Sequence, residues 1–252
     1  MQVEFLGTAG YHPTDTRHTS CVVVPDLGLV FDAGTGFFRA SRKLVAGREQ
    51  PPVVTILISH AHLDHISGLT YLLVPLLRKE IASARVVAAP VYHEAIRTHL
   101  FSRLIFPVLP DCAWDELGDR VDLPNGWSVA ARRLTRHDGG STAFRLDDPA
   151  GVRQLAVVTD VTCDNSYLDF IADTRVLIHE CNFPDSLAQW AEPTGHSHLT
   201  PVCELARRAR VGRLWLTHFD PLLDDAQPVD LAHARSIFPQ TDLARDGIAF
   251  AL

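Results

Sequence analysis

Lysine is almost missing from this chain. Of its 23 basic residues only Lys43 and Lys79 are lysines, and the formal charge is −7. There is no basic tail and no block of like charges, so strong nucleic-acid binding is not expected, although a local groove of arginines is left open. The five cysteines, Cys21, Cys112, Cys163, Cys181 and Cys203, are odd in number, widely spread and without a C-x-x-C pair. That usage speaks against a disulfide framework or a zinc knuckle and makes a reducing cytoplasm the expected location. No apolar run approaches the ~20 residues that cross a bilayer, and no membrane association is expected. Glu4 stands where a secretory signal would need an apolar core. Repeats, linkers and low-complexity segments are lacking as well. The 252 residues are therefore expected to form a single domain, 1–252, with a sizeable core.

What is present is concentrated in one stretch, Val53-Val-Thr-Ile-Leu-Ile-Ser-His60-Ala-His62-Leu-Asp64-His65-Ile-Ser-Gly68. A β-branched run entered through Pro51-Pro52 predicts a short buried strand. It leads directly into His-x-His-x-Asp-His. Three imidazoles and a carboxylate within six residues cannot be buried without partners, because each unpaired polar group costs about 1–3 kcal/mol. Together they suit a borderline cation such as Zn²⁺. In a tight loop after a strand, alternate side chains converge on different points, which suggests two adjacent metal ions rather than one.

The same arrangement recurs along the chain. Strands are predicted at residues 53–58, 154–159, 176–178 and 213–216, with another ending at Leu134. Each delivers a His, Asp or Glu within a few residues of its C-terminal end: the His60 loop, Asp160, His179-Glu180, His218 and His137. Loops held by rigid strand ends are where sites are assembled. Elsewhere the pattern predicts an opening strand at 3–6, a hairpin over 19–31, a helix over 37–46 and a long helix over 66–80 kinked at Pro75. A strand at 85–89, a helix over 90–100, a helix over 200–210 and a closing strand at 247–252 complete the reading. His93 and His99 on the 90–100 helix read as packing or surface residues. Residues 101–119 are irregular and apolar, the wall of a pocket or an interface.

The order His-x-His-x-Asp-His, lone His, lone Asp and late lone His resembles the metallo-β-lactamase superfamily. The likeness runs from Phe5-Leu-Gly-Thr8 through Phe31-Asp-Ala-Gly34 to the closing Gly247-Ile-Ala-Phe strand. It implies an α/β (α+β) fold, a four-layer αβ/βα sandwich of two mixed β-sheets flanked by helices. It also implies two divalent ions, Zn²⁺ expected and Mn²⁺ the alternative. By resemblance His60, His62 and His137 hold the first ion, and Asp64, His65 and His218 the second. Asp160 bridges them, and a hydroxide held between the ions is the nucleophile. Asp32 either orients a ligand histidine or braces its own turn. Phe-Leu-Gly-Thr, His179-Glu180 and Gly195-His196-Ser197 are similar to the ribonuclease Z-like phosphodiesterase branch. There the matching residues make His196 the acid and Glu180 its support; a purely structural hydrogen bond between the two is the alternative. Asp64 counts among the catalytic residues too. His198 has no assigned role.

Only 22 residues separate His137 from Asp160, too few for the arm with which that branch grips tRNA. The expected substrate is therefore a small phosphodiester such as a cyclic nucleotide. The competing readings are tRNA 3′ processing, lactone or ester hydrolysis, and a non-catalytic binding member of the fold. A homodimer is left open.

Overall fold

The Val-, Ile- and Leu-rich runs between glycine and proline punctuation become strands of two separate sheets. A computed structural model describes residues 1–223 and 226–252 of the chain. The chain divides into two units, Met1–Gly118 with Asp246–Ala251, and Asp119–Arg245 with Leu252.

In the first unit seven strands lie in the order Ala249–Ala251, Gln2–Gly7, Cys21–Val24, Leu29–Phe31, Val53–Leu57, Ser83–Ala88, Ala113–Glu116. The first four pair antiparallel and the last three join in parallel, so the sheet is mixed. Its core gathers Leu6, Val23, Val30, Val54, Ile56, Leu69, Val86 and Ile96. The strands buried on both faces read as continuous apolar runs, as parallel strands covered by helices require.

The second unit repeats this plan. Its order is Thr241–Leu243, Arg213–Thr217, Val176–Glu180, Arg153–Val158, Ser141–Asp147, Ser128–Leu134, Arg120–Asp122. The first four are parallel neighbours and the rest antiparallel. Two successive antiparallel pairings return Ser128–Leu134 to the direction of Arg153–Val158. The C-terminal ends of five strands therefore share one edge. Helix Leu199–Arg208 buries Leu199, Val202, Cys203, Leu205 and Ala206, the spacing of one helical stripe. It packs into a core with Tyr167, Phe170, Leu177, Leu214 and Phe219.

The predicted strands form within a residue or two of their expected bounds. The long helix over 66–80 does not. It is divided into helix Leu63–Ile66, a 3₁₀ segment Ser67–Leu72 and helix Leu73–Leu77. The cause lies at Gly68, whose N–H donates to the Ala33 carbonyl at 2.7 Å instead of to its own helix. A Cβ there would stand 2.2 Å from the Gly34 carbonyl oxygen, and one on Gly34 would stand 2.1 Å from that of Asp64. The two glycines let the 32–34 turn press against the histidine loop, and pressing it there breaks the helix. The irregular 101–119 stretch holds one unexpected strand, Ala113–Glu116. Phe101 and Leu109 of that stretch line a cleft of about 620 Å³ with His93, Arg97 and Trp114, the pocket wall that was expected. The strand Arg120–Asp122, the helix Leu231–Ile237 and the strand Thr241–Leu243 were also unforeseen; they are short and carry little periodicity.

Candidate metal centre

In the first unit the strand Val53–Leu57 ends and the chain turns at once into His60, His62, Asp64 and His65. The His60 ring lies 4.5 Å from that of His62 and 4.3 Å from that of His65, centroid to centroid. His60 and His65 are buried and His62 is exposed. Behind them stands Asp32, at the end of the neighbouring parallel strand Leu29–Phe31. One Asp32 oxygen lies 2.8 Å from His65 Nδ1 and accepts the Ser59 hydroxyl at 2.9 Å. The other accepts the Ser59 N–H at 2.8 Å. Because the Ser59 hydroxyl proton goes to Asp32, its oxygen is left to accept from His60 Nδ1, 3.1 Å away. Both rings are thereby fixed with the proton on Nδ1 and the lone pair on Nε2, the tautomer a metal ligand needs. Asp32 thus orients the His65 ring as well as bracing its turn. Ser59 went unnoticed in the sequence; its position directly before His60, at a strand end, is the signal that could have found it.

In the second unit the donors arrive one per strand end. His137 follows Ser128–Leu134, Asp160 follows Arg153–Val158, Glu180 ends Val176–Glu180 and His218 follows Arg213–Thr217. Asp160 is the hub. Its carboxylate lies 3.8 Å from His137 Nε2, 3.4 Å from His218 Nε2 and 3.9 Å from His196 Nδ1, and it accepts a hydrogen bond from the Thr159 hydroxyl. His137 Nδ1 lies 3.0 Å from the Gly195 carbonyl, which again puts the proton on Nδ1 and the lone pair on Nε2. Gly195 has φ +72°, and a Cβ on it would meet the His137 ring nitrogen at 2.9 Å.

Glu180 is fully buried. Its carboxylate accepts the N–H groups of Val161 at 2.8 Å, Ser197 at 3.0 Å and Asn182 at 3.3 Å, with His196 Nδ1 at 3.0 Å. Burial alone would push this carboxyl up, but the charge and hydrogen bond of His196 hold it below the ordinary carboxylate value. The pair is an imidazole backed by a carboxylate that stays ionised. Asn182 donates its side-chain N–H to the His218 carbonyl at 3.1 Å and ties two strand ends together; it too went unnoticed. His198, without a role in the sequence, is taken up by Asp185 at 2.7 Å, away from this group. The cysteines stay out of the chemistry: burial drives the Cys163 and Cys203 thiols up to about 12, so neither is a thiolate.

The donors of each unit suit divalent cations. The buried rings of His60 and His65 in the first unit and of His137 in the second carry Nδ1–oxygen contacts that place the lone pair on Nε2, and each unit has a carboxylate, Asp64 in the first and Asp160 in the second. Asp160 and His218 also hold left-handed backbones, φ +52° and +58°, as does Asp32 at +58°. Such conformations in non-glycine residues gather where side chains must be aimed.

Comparison with known proteins agrees with this geometry. A metallo-β-lactamase fold protein, YhfI of Bacillus subtilis, superposes with a TM-score of 0.76 over 99% of both chains at 19% identity. Human tRNase Z, short form, gives 0.73 over 100% of this chain and 99% of that one, at 21% identity. The chain has the metallo-β-lactamase fold, two mixed sheets flanked by helices. The sequence profile of the beta-lactamase superfamily domain matches residues 28–219. The chain belongs to that family and is a metallo-β-lactamase superfamily hydrolase. A ribonuclease Z of Thermosynechococcus vestitus is 28% identical over 306 aligned positions, covering 100% of this chain and 75% of the relative. That relative carries residues this chain of 252 lacks.

Proposed function

We propose that this hydrolase is a metal-dependent phosphodiesterase acting on small phosphodiesters, cyclic nucleotides among them. The family and the two incomplete donor sets support one shared dinuclear centre, with the whole chain working as a single domain. His60, His62 and His137 would hold one ion, Asp64, His65 and His218 the other, and Asp160 both. Zn²⁺ is the expected ion and Mn²⁺ the alternative. Bound divalent cations supply charge neutralisation at the phosphoryl oxygens and a water acidic enough to attack near neutral pH.

The residues of the chain do the rest. His196, its Nδ1 held 3.0 Å from Glu180, gives a proton from Nε2 to the departing alkoxide. Glu180 keeps its charge and stabilises the imidazolium before transfer. This pair, a half-buried imidazole on a buried carboxylate beside Asp160, is the observation that carries the reading. Lactone or ester hydrolysis also expels an alkoxide, and the lactone panel below separates it from the phosphodiester reading.

The name of the bacterial relative favours a second reading, cleavage of RNA. Against it, the 138–159 segment is spent on the hairpin strands Ser141–Asp147 and Arg153–Val158, which leaves no chain for an arm there. The charge of −7 offers a polyanion no long-range attraction. The deciding experiment compares the metal-loaded enzyme on 2′,3′- and 3′,5′-cyclic nucleotides, bis-p-nitrophenyl phosphate, a lactone panel and a 3′-extended tRNA. Turnover of the small diesters with little on tRNA is expected. Efficient, position-specific trimming of the tRNA would overturn this reading in favour of the second.

A further inference from the structure

Tyr11 is an aromatic residue that the fold holds out of its own core. It is 80% exposed, and the large apolar gain available from burying a ring is forgone. Its backbone is left-handed, φ +57°, a conformation that favours glycine. The His12 N–H closes back on the Gly10 carbonyl at 2.7 Å, so Tyr11 is the apex of a strained three-residue turn. Two features keep it there. The Tyr11 N–H donates to the Asp64 carboxylate at 2.9 Å, which ties the turn to a proposed metal ligand. The base of the loop is pinned where Thr8 and Ala9 donate to the His18 carbonyl at 2.8 and 2.9 Å, and the Arg17 guanidinium to Thr8 Oγ1 at 2.7 Å. The His12 ring stands beside the tyrosine ring, centroids 5.1 Å apart. Strain, exposure and a direct bond to the chemistry are combined in one residue, and packing explains none of them.

We propose that Tyr11, flanked by His12, is a nucleobase subsite: a π-face on which the base of a nucleoside phosphate stacks while its phosphate lies at the metal centre. The inference rests on the phosphodiester reading for the position of the phosphate and narrows the substrate to diesters that carry a base. A flat π-face is indifferent to which base it meets, so affinity without strong base preference is expected.

The test measures binding, so that it does not depend on turnover. The metal-loaded full chain is titrated with adenosine 5′-monophosphate and with ribose 5-phosphate, which has a hydroxyl in place of the base. In the native protein the nucleotide binds roughly 10- to 100-fold more tightly, the range that stacking supplies. Tyr11→Ala brings the two ligands to near-equal affinity by weakening only the nucleotide, and Tyr11→Phe, which keeps a ring, retains the preference. Equal affinity for both ligands in the native protein, measurable binding of neither, or a preference that survives Tyr11→Ala overturns the subsite. Failure of the phosphodiesterase reading is seen separately. A protein that prefers the nucleotide through Tyr11 yet cleaves no diester keeps the subsite and loses the activity.

Discussion

The two units meet the same demand in opposite ways. The first takes all its donors from one loop, His60 to His65, and spends two further residues, Asp32 and Ser59, on holding that loop still. The second takes one donor from each of several strand ends and gathers them around a single carboxylate, Asp160. Among the donors and the residues that brace them, the left-handed backbone falls in the first unit on the supporting Asp32, and in the second on Asp160 and His218, two proposed ligands themselves. A contiguous loop can be shaped as a piece and then braced. Donors on separate strands have no shared loop to shape, so two of them, Asp160 and His218, are aimed by their own backbones, at a cost of order 1–3 kcal/mol for each strained residue.

The sharpest way to break this comparison is at the hub. Asp160→Gly removes the carboxylate and at the same time relieves the left-handed backbone, so the fold should survive. Metal content should fall well below that of the native protein, and turnover should fall with it. A variant that keeps full metal and full activity would end the dinuclear reading. Next in size is the second unit's proposed proton donor. His196→Ala should retain its metals yet lose on the order of 10²–10⁴ in turnover on diesters with poor leaving groups. The loss should shrink with p-nitrophenolate, which leaves unprotonated. An equal loss on both substrates would show that His196 positions the phosphate rather than feeding it a proton.

The first unit should prove more forgiving, because its bracing is divided between two residues, Asp32 on His65 and Ser59 on His60. Ser59→Ala leaves Asp32 on His65 but strips His60 of its Nδ1 acceptor, and metal affinity should fall about 10- to 100-fold. Competition with a chromophoric chelator measures it. Affinity unchanged by this substitution would mean that the ring is set by packing instead.

The same contrast decides what could be read from the sequence. His60, His62, Asp64 and His65 declare themselves because contiguity survives in one dimension. His137, Asp160 and His218 are ordinary residues after ordinary strands, and only their order, matched to a family, singled them out. The strands were legible because buried parallel strands must be apolar throughout. The 66–80 helix was misread because its apolar spacing is helical while the bond that breaks it, Gly68 to Ala33, joins residues 35 apart in the chain. Ser59, Asn182 and Tyr11 act through backbone groups and neighbours in space, and no periodicity reports that.

The smallest expected effect tests whether the second unit's tight gathering leaves it the more acid-sensitive. His179 is wholly enclosed in the strand Val176–Glu180. Its Nδ1–H donates to the Glu180 carbonyl at 2.7 Å, and its Nε2 accepts the Tyr167 hydroxyl at 2.8 Å. Every position on the neutral ring is satisfied, and a proton would find no partner. Burial accordingly holds its pKa below the ordinary 6.5, with the Glu180 carbonyl and charge pulling weakly the other way. The unfolded chain takes up this proton as pH falls through 6.5 and the native chain does not, so stability is lost downward from there. The slope contributed is at most about 1.4 kcal/mol per pH unit, and it ends at the native pKa. His93 in the first unit is displaced in the same direction, by burial and then by Arg97, but it lines an open cleft. Urea unfolding between about pH 5 and pH 7 should therefore lose part of its pH dependence in His179→Gln and less in His93→Gln. At neutral pH His179→Gln should cost about 1–3 kcal/mol, because the Tyr167 hydroxyl loses a well-placed acceptor. If the two variants flatten the profile equally, enclosure in the second unit is not what makes it sensitive to acid.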